Sequence, residues 1–302
     1  MEDPPTHVTR HRSASSATRA LAVVGGLILG LGVLAALAFA IVGREDAQAP
    51  PTTATPTGPP PKPVLKIVFP EGFTIDEMGQ RIKAVNQIAE EKRKLTPALD
   101  PRRYTKLAES LKPPSEFPSK EDVPNLEGFL FPATYDFFED TTSKELIDKQ
   151  LEAFTRAWGQ LDLEYSKGRN LNAYDVLIIA SMVEKEVQVP KERPLVAAVI
   201  YNRLKAGLPL GIDATVRYGL DIPPTEPIHQ SDLESDSPYN TRKFTGLTPT
   251  PIANPGLASL QAAAHPTEVD YLYFVRKADC KSHFFTASEE EFLNYPRDGL
   301  SC

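Results

Sequence analysis

Ile178-Ile179-Ala180-Ser181-Met182-Val183-Glu184-Lys185-Glu186 is apolar almost all round and then ends in two carboxylates. A helix that is apolar on every face belongs inside a domain. A carboxylate at the end of such a helix is partly withdrawn from water, which raises its pKa. An acid that keeps its proton near neutral pH can give it to a leaving group, as scission of a glycosidic bond requires. On a helix Glu184 and Glu186 lie about 200° apart, so they cannot act as a close pair. Ile179, Met182, Val183 and Glu186 follow the i, i+3, i+4, i+7 spacing, which extends the buried stripe to Glu186. Glu184 falls on the other side with Leu177 and Ala180. Glu186 is the candidate acid.

Upstream, Asn172 caps this helix with Asp175 at the third position. Residues 143–160 read as an amphipathic helix with Leu146, Ile147, Leu151, Phe154 and Trp158 on one side. Leu126-Glu127-Gly128-Phe129-Leu130-Phe131-Pro132 reads as a buried turn or short strand. Downstream, a helix over about 194–205 stops at Gly207. A long stretch over 207–256, punctuated by Pro and Gly, reads as two loops dense in Asn, Thr, Tyr and Asp. Such loops suit a sugar-binding groove, or are tied down by their own side chain–backbone bonds. A helix over 257–264 and a strand over 271–275, paired with 283–286, close the chain. At the other end, 64–69 alternates like a strand and Pro70-Glu71-Gly72 turns it. Thr74 and Glu77 form a capping box for a helix striped by Ile75, Met78, Ile82 and Val85. A second amphipathic piece around Tyr104, Leu107 and Leu111 ends at Pro113 and Pro114. This small unit would barely support a core alone and is expected to pack on the larger domain C-terminal to it. The fold class is α+β and mainly helical, with a small β element.

The 302 residues carry a net charge of −7, with +1 on residues 1–19 and −8 on the rest, which excludes an electrostatic footprint for nucleic acid. Residues 20–43 are uncharged and mostly apolar, about 36 Å as a helix, enough to cross a bilayer. Arg10, Arg12 and Arg19 precede this span and only Arg44 follows it closely. The N-terminus is thus expected in the cytoplasm and the bulk of the chain outside. The expected order is a tail (1–19), a transmembrane helix (20–43), a Pro-rich spacer (44–63), a small subdomain (64–118) and a larger catalytic domain (119–302). Cys280 and Cys302 then lie where disulfides are permitted, and a bridge between them is expected. The chain has no G-x-S-x-G elbow, Ser-x-x-Lys, H-E-x-x-H or P-loop, and no metal or cofactor is expected.

Taken together, the motifs resemble those of the endolytic murein transglycosylases of the MltG/YceG-like family. The helix segment 179–186 carries the resemblance together with Val199-Ile200-Tyr201-Asn202-Arg203-Leu204 and Asp213-Ala214-Thr215-Val216-Arg217-Tyr218-Gly219. So do Ser237-Pro238-Tyr239-Asn240-Thr241, Gly246-Leu247-Thr248-Pro249, Ile252-Ala253-Asn254-Pro255-Gly256, Ala262-Ala263-Ala264-His265-Pro266 and Tyr271-Leu272-Tyr273-Phe274-Val275. The segment 126–132 extends the match upstream. The resemblance implies a single-pass inner-membrane protein with a LysM-like subdomain and a lysozyme/transglycosylase-like catalytic domain outside the cytoplasm. It implies cleavage of β-1,4 bonds between N-acetylmuramic acid and N-acetylglucosamine within nascent glycan strands, leaving 1,6-anhydro ends and terminating elongation. One carboxyl group, at Glu186, would act first as acid and then as base. Asp213, Tyr239, Asn240, Thr241 and Glu127 are the expected substrate-positioning residues. Peptidoglycan strands, the membrane and cell-wall synthases are the expected partners. Val187 stands where other lytic transglycosylases often have Ser or Thr. The alternatives are a hydrolytic muramidase using Asp213 as second carboxylate, and a tethered wall-binding protein without activity.

Overall fold

Local capping decides where the central helix begins. In this computed structural model, which describes residues 62–115, 117 and 123–296, the Asn172 side chain accepts from the N–H groups of Tyr174 and Asp175 at 2.7 and 3.1 Å. The Asp175 carboxylate accepts the Asn172 N–H in return, at 2.7 Å. The helix so started runs Ala173–Glu186, and every residue from Ala173 to Val183 except Asp175 is buried. Burial on all sides is what an all-round apolar helix needs. Ser181, the polar residue in its middle, donates to Ile178 O at 2.7 Å and accepts the Ile252 N–H at 3.0 Å. One hydroxyl thereby fastens a distant loop to the core helix.

The chain order is β1 (Leu65–Val68), α1 (Ile75–Arg93), α2 (Pro101–Ser110), β2 (Thr134–Phe137), α3 (Ser143–Trp158), α4 (Glu164–Lys167) and α5 (Ala173–Glu186). A 3-10 turn (Pro190–Glu192) leads into α6 (Arg193–Ala206), then α7 (Asp213–Leu220), α8 (Gln230–Leu233), α9 (Leu257–Ala264), β3 (Tyr273–Arg276), β4 (His283–Thr286) and α10 (Glu289–Asn294). Among the described residues two antiparallel pairs make up the sheets, β1 with β2 and β3 with β4. This is a mixed α+β architecture, mainly helical, with small sheets. The capping box at Thr74 and Glu77 is present, and Gly207 ends α6 in the left-handed region at φ +67°.

β1 pairs with β2, Leu65 opposite Phe137, so the N-terminal unit is closed by a strand from beyond residue 118. Ile67, Phe69, Met78, Ile82 and Tyr104 enter the same hydrophobic cluster as α3 and α5. The small unit shares that core, for want of enough apolar surface to bury alone. The 126–132 segment is a turn. Gly128 takes φ +90°, and a Cβ there would lie 2.7 Å from Pro251 Cγ. The stretch over 207–256 is not loop throughout, because it holds α7 and α8. Asp213 in the first turn of α7 complements the helix dipole, and buried Thr215 and Val216 anchor it.

Among the described residues no helix is long and apolar enough to cross a membrane. The expected span at 20–43, the tail and most of the spacer lie outside the described residues. Cys280 sits in the β3–β4 turn, whereas its expected partner Cys302 also lies outside them.

Candidate active site

Glu186 is the last residue of α5, partly buried, on the wall of a cavity of about 1560 Å³. That exceeds the roughly 300–1,000 Å³ of small-molecule pockets and suits a polymer. Burial pushes the Glu186 carboxyl up to about 7. Arg276 is the largest counterweight, Asp213 raises the value further, and the Ala214 N–H and Arg242 favour the charged form. Ala214 is in the first turn of α7, so an N–H left free by the helix start is directed at the acid. A proton is thus held near neutral pH, and the carboxylate left after its departure is met by one N–H and two guanidinium charges.

Glu184 points elsewhere, as the helical spacing requires. It accepts the Gly256 N–H at 3.0 Å and lies 3.9 Å from Arg193. The two glutamates do not form a pair.

The remaining expected residues divide into two groups. Asp213 and Glu127 line the cavity with Glu186. Asp213 is bound to Arg242 at 2.5 Å. Glu127, 2 % exposed, accepts from Ile75 N at 3.2 Å, Tyr218 OH at 3.2 Å and Asn254 Nδ2 at 2.7 Å. Burial pushes its carboxyl up to about 8 against those three hydrogen bonds. Its oxygens are committed to joining α1, α7 and the 254 loop.

Tyr239, Asn240 and Thr241 do not line the cavity. The Asn240 amide donates to Leu233 O and Ser235 O at 3.0 and 2.9 Å, and Thr241 Oγ1 accepts the Ile212 N–H at 3.0 Å. Tyr239 OH lies 2.8 Å from Thr250 Oγ1, and its ring packs on Tyr218. Of the two meanings of a polar loop, the structure shows side chains tying the backbone down.

Sequence reasoning missed Arg276, Arg242 and His283 as cavity residues. It also missed Asn254, which accepts the Leu130 N–H at 2.8 Å and donates to Phe73 O at 2.9 Å and to Glu127. The strand pairing of 271–275 with 283–286 was readable. Its register, Arg276 opposite His283, was the signal that would have brought those two together.

The chain is similar to proteins of known class. The endolytic murein transglycosylase of Bacillus subtilis is 44% identical over 154 residues, 51% of this chain and 42% of that protein. That of Streptococcus pneumoniae strain R6 is 33% identical over 258 residues, 78% of this chain and 45% of that protein. The chain thus spans less than half the length of these curated relatives. A crystal structure of a yceG-like protein from Listeria monocytogenes shares 32% identity at a TM-score of 0.58, covering 75% of this chain and 74% of that one. The model of the YceG-like family matches residues 54–297, across the cavity, Glu186 and every element that faces it. The chain therefore belongs to the YceG-like family.

Proposed function

We propose that the chain is an endolytic lytic transglycosylase that cuts the N-acetylmuramic acid–β-1,4–N-acetylglucosamine bond of nascent glycan strands. The observation that carries this reading is Glu186, pushed up to about 7 on the wall of a polymer-sized cavity. The protonated carboxyl gives its proton to the glycosidic oxygen, and C1 of the muramic acid gains oxocarbenium character. The same sugar's C6 hydroxyl then closes on C1 as its proton passes to a base in the cavity. The charge that appears on Glu186 is stabilised by the Ala214 N–H and by Arg276. Relatives that carry the name endolytic murein transglycosylase support the substrate class.

The wider reading keeps the single-pass anchor at 20–43, the extracytoplasmic catalytic part and a bridge from Cys280 to Cys302. It rests on the length of the apolar run and the arginine bias around it. The LysM-like subdomain is proposed over 64–118, which holds β1, α1 and α2, and β1 pairs with β2 from outside that range. Cell-wall synthases remain the proposed protein partners.

Digestion of uncrosslinked nascent glycan, read by mass spectrometry, tests the reaction. Anhydro ends, one water lighter than reducing ends, are expected. Reducing ends alone would assign a muramidase with Asp213 as second carboxylate, and binding without release would assign a wall-binding protein.

A further inference from the structure

Opposite residues of an antiparallel pair project from the same face of the sheet, with Cβ atoms about 4.5–5.5 Å apart. Arg276 and His283 are such a pair, and both line the cavity that holds Glu186. Arg276 is the strongest charge acting on Glu186, and the hairpin thus forms part of the same cavity wall as the acid.

His283 is 4 % exposed and its ring is fixed in two ways. Phe274 meets it edge to face at 5.3 Å. Glu192, itself buried and six residues after Glu186, lies 2.8 Å from Nδ1 and also accepts the His283 main-chain N–H at 3.1 Å. A carboxylate can only accept, so Nδ1 carries the hydrogen, and in the neutral ring it is Nε2 that has the lone pair. Among the described residues no hydrogen bond reaches Nε2, and His283 is part of the cavity wall. A carboxylate that orients an imidazole also stabilises the imidazolium once it forms.

Building on the transglycosylase reading, we propose that His283, oriented by Glu192, is the general base that takes the C6 hydroxyl proton of the muramic acid residue. The protons balance across two groups. Glu186 loses its proton to the leaving oxygen as the C1–O bond breaks. The C6 oxygen bonds C1 as its proton passes to Nε2. Solvent in the cavity returns that proton from the imidazolium to the Glu186 carboxylate, which closes the cycle. His283 thereby replaces Glu186 in the second of the two duties that a lone carboxyl would perform.

The test is the product spectrum of His283→Gln in the full chain, on nascent uncrosslinked glycan, beside wild type and Glu186→Gln. Turnover should fall by roughly 10²–10⁴-fold, the usual worth of a positioned base. Reducing ends should appear among the residual products, because water captures C1 when the C6 hydroxyl is not activated. A purely structural loss would lower the rate and leave anhydro ends as the sole product, which overturns the proposal, as does wild-type turnover. Should His283→Gln fail to fold, Glu192→Gln reports the same spectrum, because a neutral amide no longer stabilises the imidazolium that forms on proton uptake. A wild type that releases no anhydro ends would instead overturn the transglycosylase reading.

Discussion

Replacing Glu186 by Gln should stabilise the protein, and by an amount that depends on pH. The folded carboxyl titrates at about 7, against 4.5 for an ordinary glutamate. Between those values the folded state holds the proton and the unfolded chain has released it. Folding then binds protons, so stability falls as pH rises from 4.5 to about 7 and is level beyond. At about 1.4 kcal/mol for each pH unit, the interval comes to about 3 kcal/mol. Glutamine does not ionise and escapes this cost. The variant's advantage over wild type should therefore grow by about 3 kcal/mol between pH 4.5 and pH 8. For a unit of this size that is roughly 6–12 °C in melting temperature. The substitution removes only the Glu186 ionisation, so the difference reports that group together with its coupling to its neighbours. Urea unfolding of both proteins at pH 4.5, 6 and 8 measures it. A difference that is flat with pH, or that shrinks as pH rises, would refute the account of Glu186 as an acid held neutral by burial.

Turnover should fall about tenfold for each pH unit above about 7, as the acid loses its proton. Arg276→Gln should move that limb upward, because a cation favouring the carboxylate is gone, and a pH–rate profile reads both. Glu127→Leu leaves Ile75 N–H, Tyr218 OH and the Asn254 amide without their acceptor. At about 1–3 kcal/mol for each buried orphan it should lose more than about 3 kcal/mol, whereas Glu127→Gln keeps an acceptor and should lose much less, measured by denaturation. Gly219→Ala places a Cβ 2.5 Å from Tyr239 Cβ. It should cost about 1–3 kcal/mol by forcing α7 away from the 237–241 loop, and a thermal melt checks it.

The core helix was legible because its signals agree: a capping box at Asn172 and Asp175, no break, and apolar residues on every face. The Thr74 start of α1 and the stop of α6 at Gly207 were legible for the same reason. The helix α7 was not. It is eight residues long, contains Gly219 and is bracketed by prolines and glycines, so its composition reads as loop. Asn240 and Thr241 lie off the cavity wall and bind backbone groups, and in a string of letters such a residue looks like one that binds sugar. Glu127 carried a weak signal, a lone acid inside an apolar run. Its three donors come from residues 75, 218 and 254, and no local pattern records them. Glu192 and His283 are likewise joined only by tertiary folding, at a separation of 91 residues.

The reactive carboxyl and the groups that set its strength lie on different stretches of chain. Glu186 is rooted in the core helix, while the Ala214 N–H, Asp213 and Arg242 belong to the 207–256 segment and Arg276 to the hairpin. Changes confined to those outer stretches would retune the acidity at which the protein works and leave the interior untouched. Relatives living in sour or alkaline surroundings could each arrive at their own setting by such peripheral edits, with the same helix and the same glutamate underneath.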